Sequence, residues 1–118
     1  MNVLAAILVA STSLNITVWP EGRGMPDKIT RTLRCAPVGG SLPHAAAACA
    51  KLARMTRPFA PTPKNQVCTE IYGGPQEALI TGRLRGYSVR ATFSRRDGCE
   101  LGRWNRVAFL FPGAISAP

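Results

Sequence analysis

Residues able to carry out chemistry are scarce in this sequence. Histidine occurs once, at His44, and six Asp plus Glu stand against fifteen Lys plus Arg. A Ser–His–Asp mechanism needs an imidazole base, held by an orienting group, beside its nucleophile. The one imidazole follows Pro43 where a helix is expected to start, and no Gly-x-Ser-x-Gly motif accompanies it. His44 is therefore read as a structural surface residue. Catalysis by paired carboxylates needs two acids whose surroundings separate their pKa values, and the scattered acids show no such spacing. Closely paired cysteines, which structural zinc needs, are missing. Gly39-Gly40 and Gly73-Gly74 lack the rest of a phosphate-cradling loop. The chain is thus not expected to be an enzyme, and no metal or cofactor is expected. The apolar run over residues 1–10 is too short to span a bilayer, so no membrane partner is expected either.

What is present begins with charge and cysteine. The balance of +9, most of it from arginine, favours acidic partners. Cysteines stand at 35, 49, 68 and 99 in a chain of 118 residues. An even count in a small domain points to two disulfides and an oxidising compartment. Three pairings are open to four cysteines, and the spacing does not choose among them. By loop-closure entropy each bridge contributes roughly 3–4 kcal/mol. The apolar start, followed by Ser11-Thr12-Ser13, is similar to the core of a secretory signal but has no Lys or Arg before it. We expect residues 1–13 to be a leader or its remnant, 14–111 to form one domain, and 112–118 a loose tail. The expected location is extracellular.

The chain then alternates between strand and turn signals. Residues 14–19 alternate apolar with polar up to Pro20, and 29–35 place Ile29, Arg31, Leu33 and Cys35 on one side. Residues 45–55 carry Ala45, Ala48, Cys49, Leu52 and Met55 at helical spacing, with Ser41 or Leu42 near the cap and Pro43 in the first turn. Residues 78–84 and 87–93 read as strands around a tight turn at Arg85-Gly86, with Tyr87, Val89, Ala91 and Phe93 inward. A short helix is expected near 99–104 and a closing apolar strand over 106–111. The sum is an α+β fold: an antiparallel sheet of about five strands, one main helix, one short helix and two disulfides. Asn15-Ile16-Thr17 matches the N-glycosylation pattern but falls inside the first strand.

Two segments invite a functional reading. Arg83, Arg85, Arg90, Arg95, Arg96, Arg103 and Arg106 crowd the C-terminal half among Tyr87, Phe93 and Trp104. Basic residues with interleaved aromatics can form a platform for single strands. The alternation, however, sets Tyr87 and Phe93 opposite Arg90, and no recognition motif is present, so nucleic acid is disfavoured. The second segment is Val67-Cys68-Thr69-Glu70-Ile71-Tyr72-Gly73-Gly74-Pro75. A half-cystine inside a short extended run that ends in Gly-Gly-Pro would present an exposed peptide in one shape. That is what a segment entering another protein's active-site cleft requires.

These residues carry a resemblance. Leu33-Arg34-Cys35-Ala36-Pro37-Val38-Gly39-Gly40-Ser41, then Pro43-His44 and Cys49-Ala50-Lys51-Leu52, form one block. The Cys68 segment forms a second, and Gly86-Tyr87-Ser88-Val89, Phe93-Ser94, Cys99-Glu100 and Val107-Ala108-Phe109 a third. Together they resemble the subtilisin inhibitor-like family of secreted actinobacterial serine-protease inhibitors. The resemblance implies pairings Cys35–Cys49 and Cys68–Cys99, a homodimer, a secreted serine protease as partner, and a reactive bond Glu70–Ile71. Val67, Cys68, Thr69, Tyr72 and Gly73 would complete the reactive loop. Four features depart from the family pattern. Glu70 stands where Met, Lys or Arg is commoner, and Thr69 stands in place of proline. The linker over 55–66 is shorter, and Gly73-Gly74 replaces an acidic residue before Pro75. Glu70 implies preference for a glutamate-specific protease, or weaker inhibition of a broad subtilisin. The alternative expectation is a cationic secreted binding protein on the same scaffold without inhibitory activity.

Overall fold

Strict alternation makes the first strand the centre of the fold. In β1 (Thr12–Trp19), Thr12, Leu14, Ile16 and Val18 are buried while Ser13 and Asn15 are exposed. The computed structural model describes residues 11–113. The leader expected over 1–13 lies largely outside them, as does most of the tail expected over 112–118; Thr12 and Ser13 already belong to β1. Around β1 run β2 (Ile29–Cys35), β3 (Glu77–Leu84) and β4 (Tyr87–Ser94), all antiparallel, in the order β2-β1-β3-β4. The register stacks Leu33, Leu14 and Gly82 across the sheet, and beside them Ile16, Ile80 and Ala91. Because side chains alternate with period two, this register puts one apolar set on a single face.

Two helices cover that face. Helix α1 (Ala45–Ala53) contributes Ala48 and Leu52 from the predicted stripe, with Cys49 and Met55 packed beside them. Its cap differs from expectation: His44 occupies the cap position in a left-handed conformation without a side-chain bond, and Pro43 precedes it. Ser41 turns instead to Thr32, whose backbone N–H it accepts at 3.0 Å.

The carbonyls ending α1 are met from a distance. Arg85, in the two-residue turn between β3 and β4, donates to Leu52 O at 3.2 Å and Met55 O at 3.1 Å. Two charge-assisted bonds of this kind stabilise by about 1–3 kcal/mol. Arg85 has a positive φ of 49°, so Arg85→Ala keeps the same backbone penalty but loses both bonds. It should lower the melting temperature by about 5–10 °C; an unchanged melting curve would contradict this role.

The sheet has four strands, not about five. The strand expected over 106–111 is instead the end of α2 (Gly98–Val107) and a single 3-10 turn (Ala108–Leu110). Asp97 starts this helix by accepting the Glu100 N–H at 2.9 Å, and Arg103 pairs with Glu100 at 2.8 Å one turn on. Leu101, Trp104 and Val107 face inward, followed by Leu110 and Phe111. That is helical spacing, and a short apolar run alone does not distinguish it from a buried strand. The second helix therefore has ten residues against nine in α1. Trp104, Phe111 and Phe93 pack ring to ring, at 4.6 and 5.4 Å between centroids, and close the core.

Tyr87 is a further correction. It lies on the predicted side of β4 but is 78% exposed, because it sits at the hairpin end beyond the cover of the helices. Both disulfides, Cys35–Cys49 and Cys68–Cys99, are formed. The first joins the end of β2 to α1. No described helix is long and apolar enough to cross a membrane.

Candidate functional site

Between α1 and β3 the chain runs without helix or strand from Met55 to Gln76. Proline at 58, 61, 63 and 75 removes backbone donors and explains the irregularity. The early part is tied to α2. Arg103 donates to Ala60 O and Thr92 O, each at 2.9 Å, and Thr62 donates to Glu100 at 3.0 Å. The later part, residues 67–73, stands out into solvent. Val67 is 93% exposed, Ile71 57% and Tyr72 66%, three of the six exposed large apolar side chains among the described residues. Glu70 and Thr69 are exposed as well. Clustered apolar side chains left in water mark interaction surfaces.

Exposure here does not come with freedom, because the segment 95–99 grips the loop on both sides. Cys99 bonds Cys68 with their Cα atoms 5.4 Å apart. Gly98 N–H donates to Thr69 O at 2.9 Å. Farther along, Gly73 N–H donates to Arg95 O at 2.6 Å, and Arg95 Nε donates back to Gly73 O at 3.1 Å. Only Glu70, Ile71 and Tyr72 lie between these anchors, and among the described residues no hydrogen bond reaches them.

Two glycines make this approach possible. A Cβ on Gly98 would collide with Thr69 Oγ1, and one on Gly73 would collide with the Leu101 side chain. Gly73 thus serves close packing.

The expected loop residues Val67 to Gly73 form this segment, and Glu70 and Ile71 are two of the three residues that no hydrogen bond among the described residues reaches. The grip from Arg95 and Gly98 joins residues distant in the chain, and no local sequence signal marks it. Asp97 also lies close to the sulfurs of Cys68 and Cys99, but those sulfurs are bonded to each other and are not free ligands.

Part of the arginine crowd resolves into tethers. Arg83, Arg85, Arg95 and Arg103 each donate to a backbone carbonyl, and Arg95 is buried. His44 is exposed, as expected.

The candidate site is thus an exposed peptide held at both flanks, one of them disulfide-linked, on a sheet covered by helices. The family model described as subtilisin inhibitor-like matches residues 10–95. The chain belongs to that family, and its function at the level of class is inhibition of serine peptidases. It is also similar to Streptomyces caespitosus sermetstatin, whose crystal structure is in complex with Bacillus licheniformis subtilisin. That match has 27% identity and a TM-score of 0.44, covering 82% of this chain and 96% of that one. No curated protein matches the chain.

Proposed function

We propose that this chain is a secreted inhibitor that enters the cleft of a serine endopeptidase with Thr69–Tyr72, offering Glu70–Ile71 as the bond addressed. The observation that carries this reading is the two-sided anchoring of an exposed tripeptide by Cys99, Gly98 and Arg95. A loop already held in its bound shape loses little entropy on association, which raises affinity. Two disulfides support secretion, because they persist in oxidising surroundings.

Glu70 would be the side chain that fills the primary specificity pocket. A carboxylate is bound well only where cations or donors replace its lost water. The preferred target is therefore a glutamate-specific serine protease, with broad subtilisins held more weakly. Inhibition should be competitive with a small peptide substrate; inhibition indifferent to substrate concentration would place the contact away from the cleft.

Positive charge has a separate role. With a formal +9, encounter with an acidic protease should be steered. The association rate should then fall about tenfold or more between low and physiological salt, while dissociation changes little. An association rate flat in salt would exclude steering. A homodimer would use the face of the sheet that the helices leave open, where Thr17, Thr32, Thr81 and Thr92 lie. Sedimentation at micromolar concentration tests this.

A further inference from the structure

We propose that Arg95 is the positioning residue for the leaving side of the loop, holding the new Ile71 end in place once Glu70–Ile71 is cut and so setting how long inhibition lasts. This rests on Glu70–Ile71 being the reactive bond.

The two sides of that bond are held by different means. Upstream, Cys68 is fixed covalently to Cys99. Downstream no cross-link holds the chain before it enters β3 at Glu77, and among the described residues the only hydrogen-bonded clasp on this stretch is Gly73 against Arg95. That clasp is two-pronged: the backbone carbonyl of Arg95 accepts from Gly73 N–H, and the side chain returns a bond to Gly73 O.

The side chain is unusual for its position. Arg95 is 1% exposed, and among the described residues no carboxylate pairs with it. Its Nη1 is buried without a hydrogen-bond partner, and its Cζ lies 5.6 Å from the centroid of the buried Trp104 ring. Burying a guanidinium without a counter-charge is unfavourable, and an apolar side chain of similar length often leaves such a site as stable or more so. Core stability therefore does not account for Arg95. Its one side-chain hydrogen bond goes to the loop.

The consequence appears during turnover. Attack of the protease serine oxygen on the Glu70 carbonyl forms the acyl ester and breaks the bond to Ile71, whose nitrogen takes up a proton and becomes an amine. If that amine stays in place, it attacks the ester carbon, the peptide bond re-forms, the ester C–O bond breaks, and the proton returns to the serine oxygen. Water at the same carbon would release the cut inhibitor instead. The balance depends on how much of the time the amine is in position, and Gly73 is only two residues from it.

Arg95→Met keeps length and contact with Trp104 but removes the donors; Arg95→Lys keeps the charge. We expect Arg95→Met to melt no lower than the parent. Yet the ratio of cut to intact inhibitor after prolonged incubation with protease should rise by about tenfold or more, and inhibition should decay with time. Arg95→Lys should fall between the two. A folded Arg95→Met with the parent's ratio and the parent's persistence would overturn the role of Arg95 alone. A parent protein not cut after Glu70 by any protease it inhibits would overturn the reactive bond, and this inference with it. If Arg95→Met does not fold, the parent itself decides. In the nicked, disulfide-joined form the Gly73 amide should exchange as slowly as in the intact form, whereas exchange at the rate of a free peptide would overturn the clasp.

Discussion

Glu70→Met is expected to strengthen inhibition of a broad subtilisin by about a hundredfold and to weaken inhibition of a glutamate-specific protease by a similar factor. In the free inhibitor Glu70 is exposed and touches no partner that the substitution would disturb, so the fold should be unaffected. The change acts only in the complex. On the proposed reading the carboxylate would there exchange water for the pocket, and an apolar pocket offers no replacement for the lost hydration. Methionine reverses the balance, because its flexible thioether fills apolar gaps and has no charge to desolvate. Glu70→Gln separates charge from shape: it should lose most of the affinity for the glutamate-specific enzyme while keeping the outline of the side chain. Glu70→Lys should move preference to proteases that take basic residues. Inhibition constants for the four proteins against the three classes form the measurement. If the ranking of targets stays the same across all four, Glu70 does not enter the specificity pocket.

The second large effect concerns the disulfides, and it is differential. Cys68→Ser with Cys99→Ser opens a bridge spanning 31 residues, and Cys35→Ser with Cys49→Ser one spanning 14. Loop-closure entropy assigns them similar contributions of about 3–4 kcal/mol. Each pair of substitutions should therefore lower the melting temperature by roughly 10–25 °C. Their effects on inhibition should differ far more. Without Cys68–Cys99 the acyl side of the loop keeps only the Gly98–Thr69 hydrogen bond. The chain should then be cut after Glu70 as an ordinary substrate, with inhibition weakened by about a hundredfold or more as the loop's ordering entropy must be met on binding. Without Cys35–Cys49, at the end of β2 and away from the loop, inhibition below the melting temperature should be close to the parent's. Equal loss in both variants would mean that stability alone, and not presentation of the loop, underlies the activity.

Much of this fold can be read along the chain, for identifiable reasons. β1 and β4 alternate cleanly because one face is buried and the other open, and α1 announces itself by alanine and a periodic stripe. The end of the chain was harder to read. Residues 106–111 are apolar enough for a strand, and only the contact of Val107, Leu110 and Phe111 with the core, together with the Asp97 cap, decides for helix. Tyr87 misled because alternation assigns a side and not whether anything covers it.

The site divides in the same way. Val67 to Gly73 could be picked out from Cys68, the Gly-Gly-Pro ending and the family resemblance. The pairing of Cys68 with Cys99 came from that resemblance, not from spacing. What holds the loop, the Gly98–Thr69 bond and the clasp of Gly73 by Arg95, joins residues more than twenty positions apart. Arg95 stood among seven arginines of the C-terminal half, and nothing local marks it as the buried one.

The most direct measurement is intact mass followed by fragment mapping of the inhibitor after incubation with catalytic amounts of a protease it inhibits. Slow gain of one water, with a single cut between Glu70 and Ile71 and both fragments still joined until Cys68–Cys99 is reduced, is the predicted result. A first cut at any other bond, or rapid cutting at this one with the protease left fully active, would contradict it.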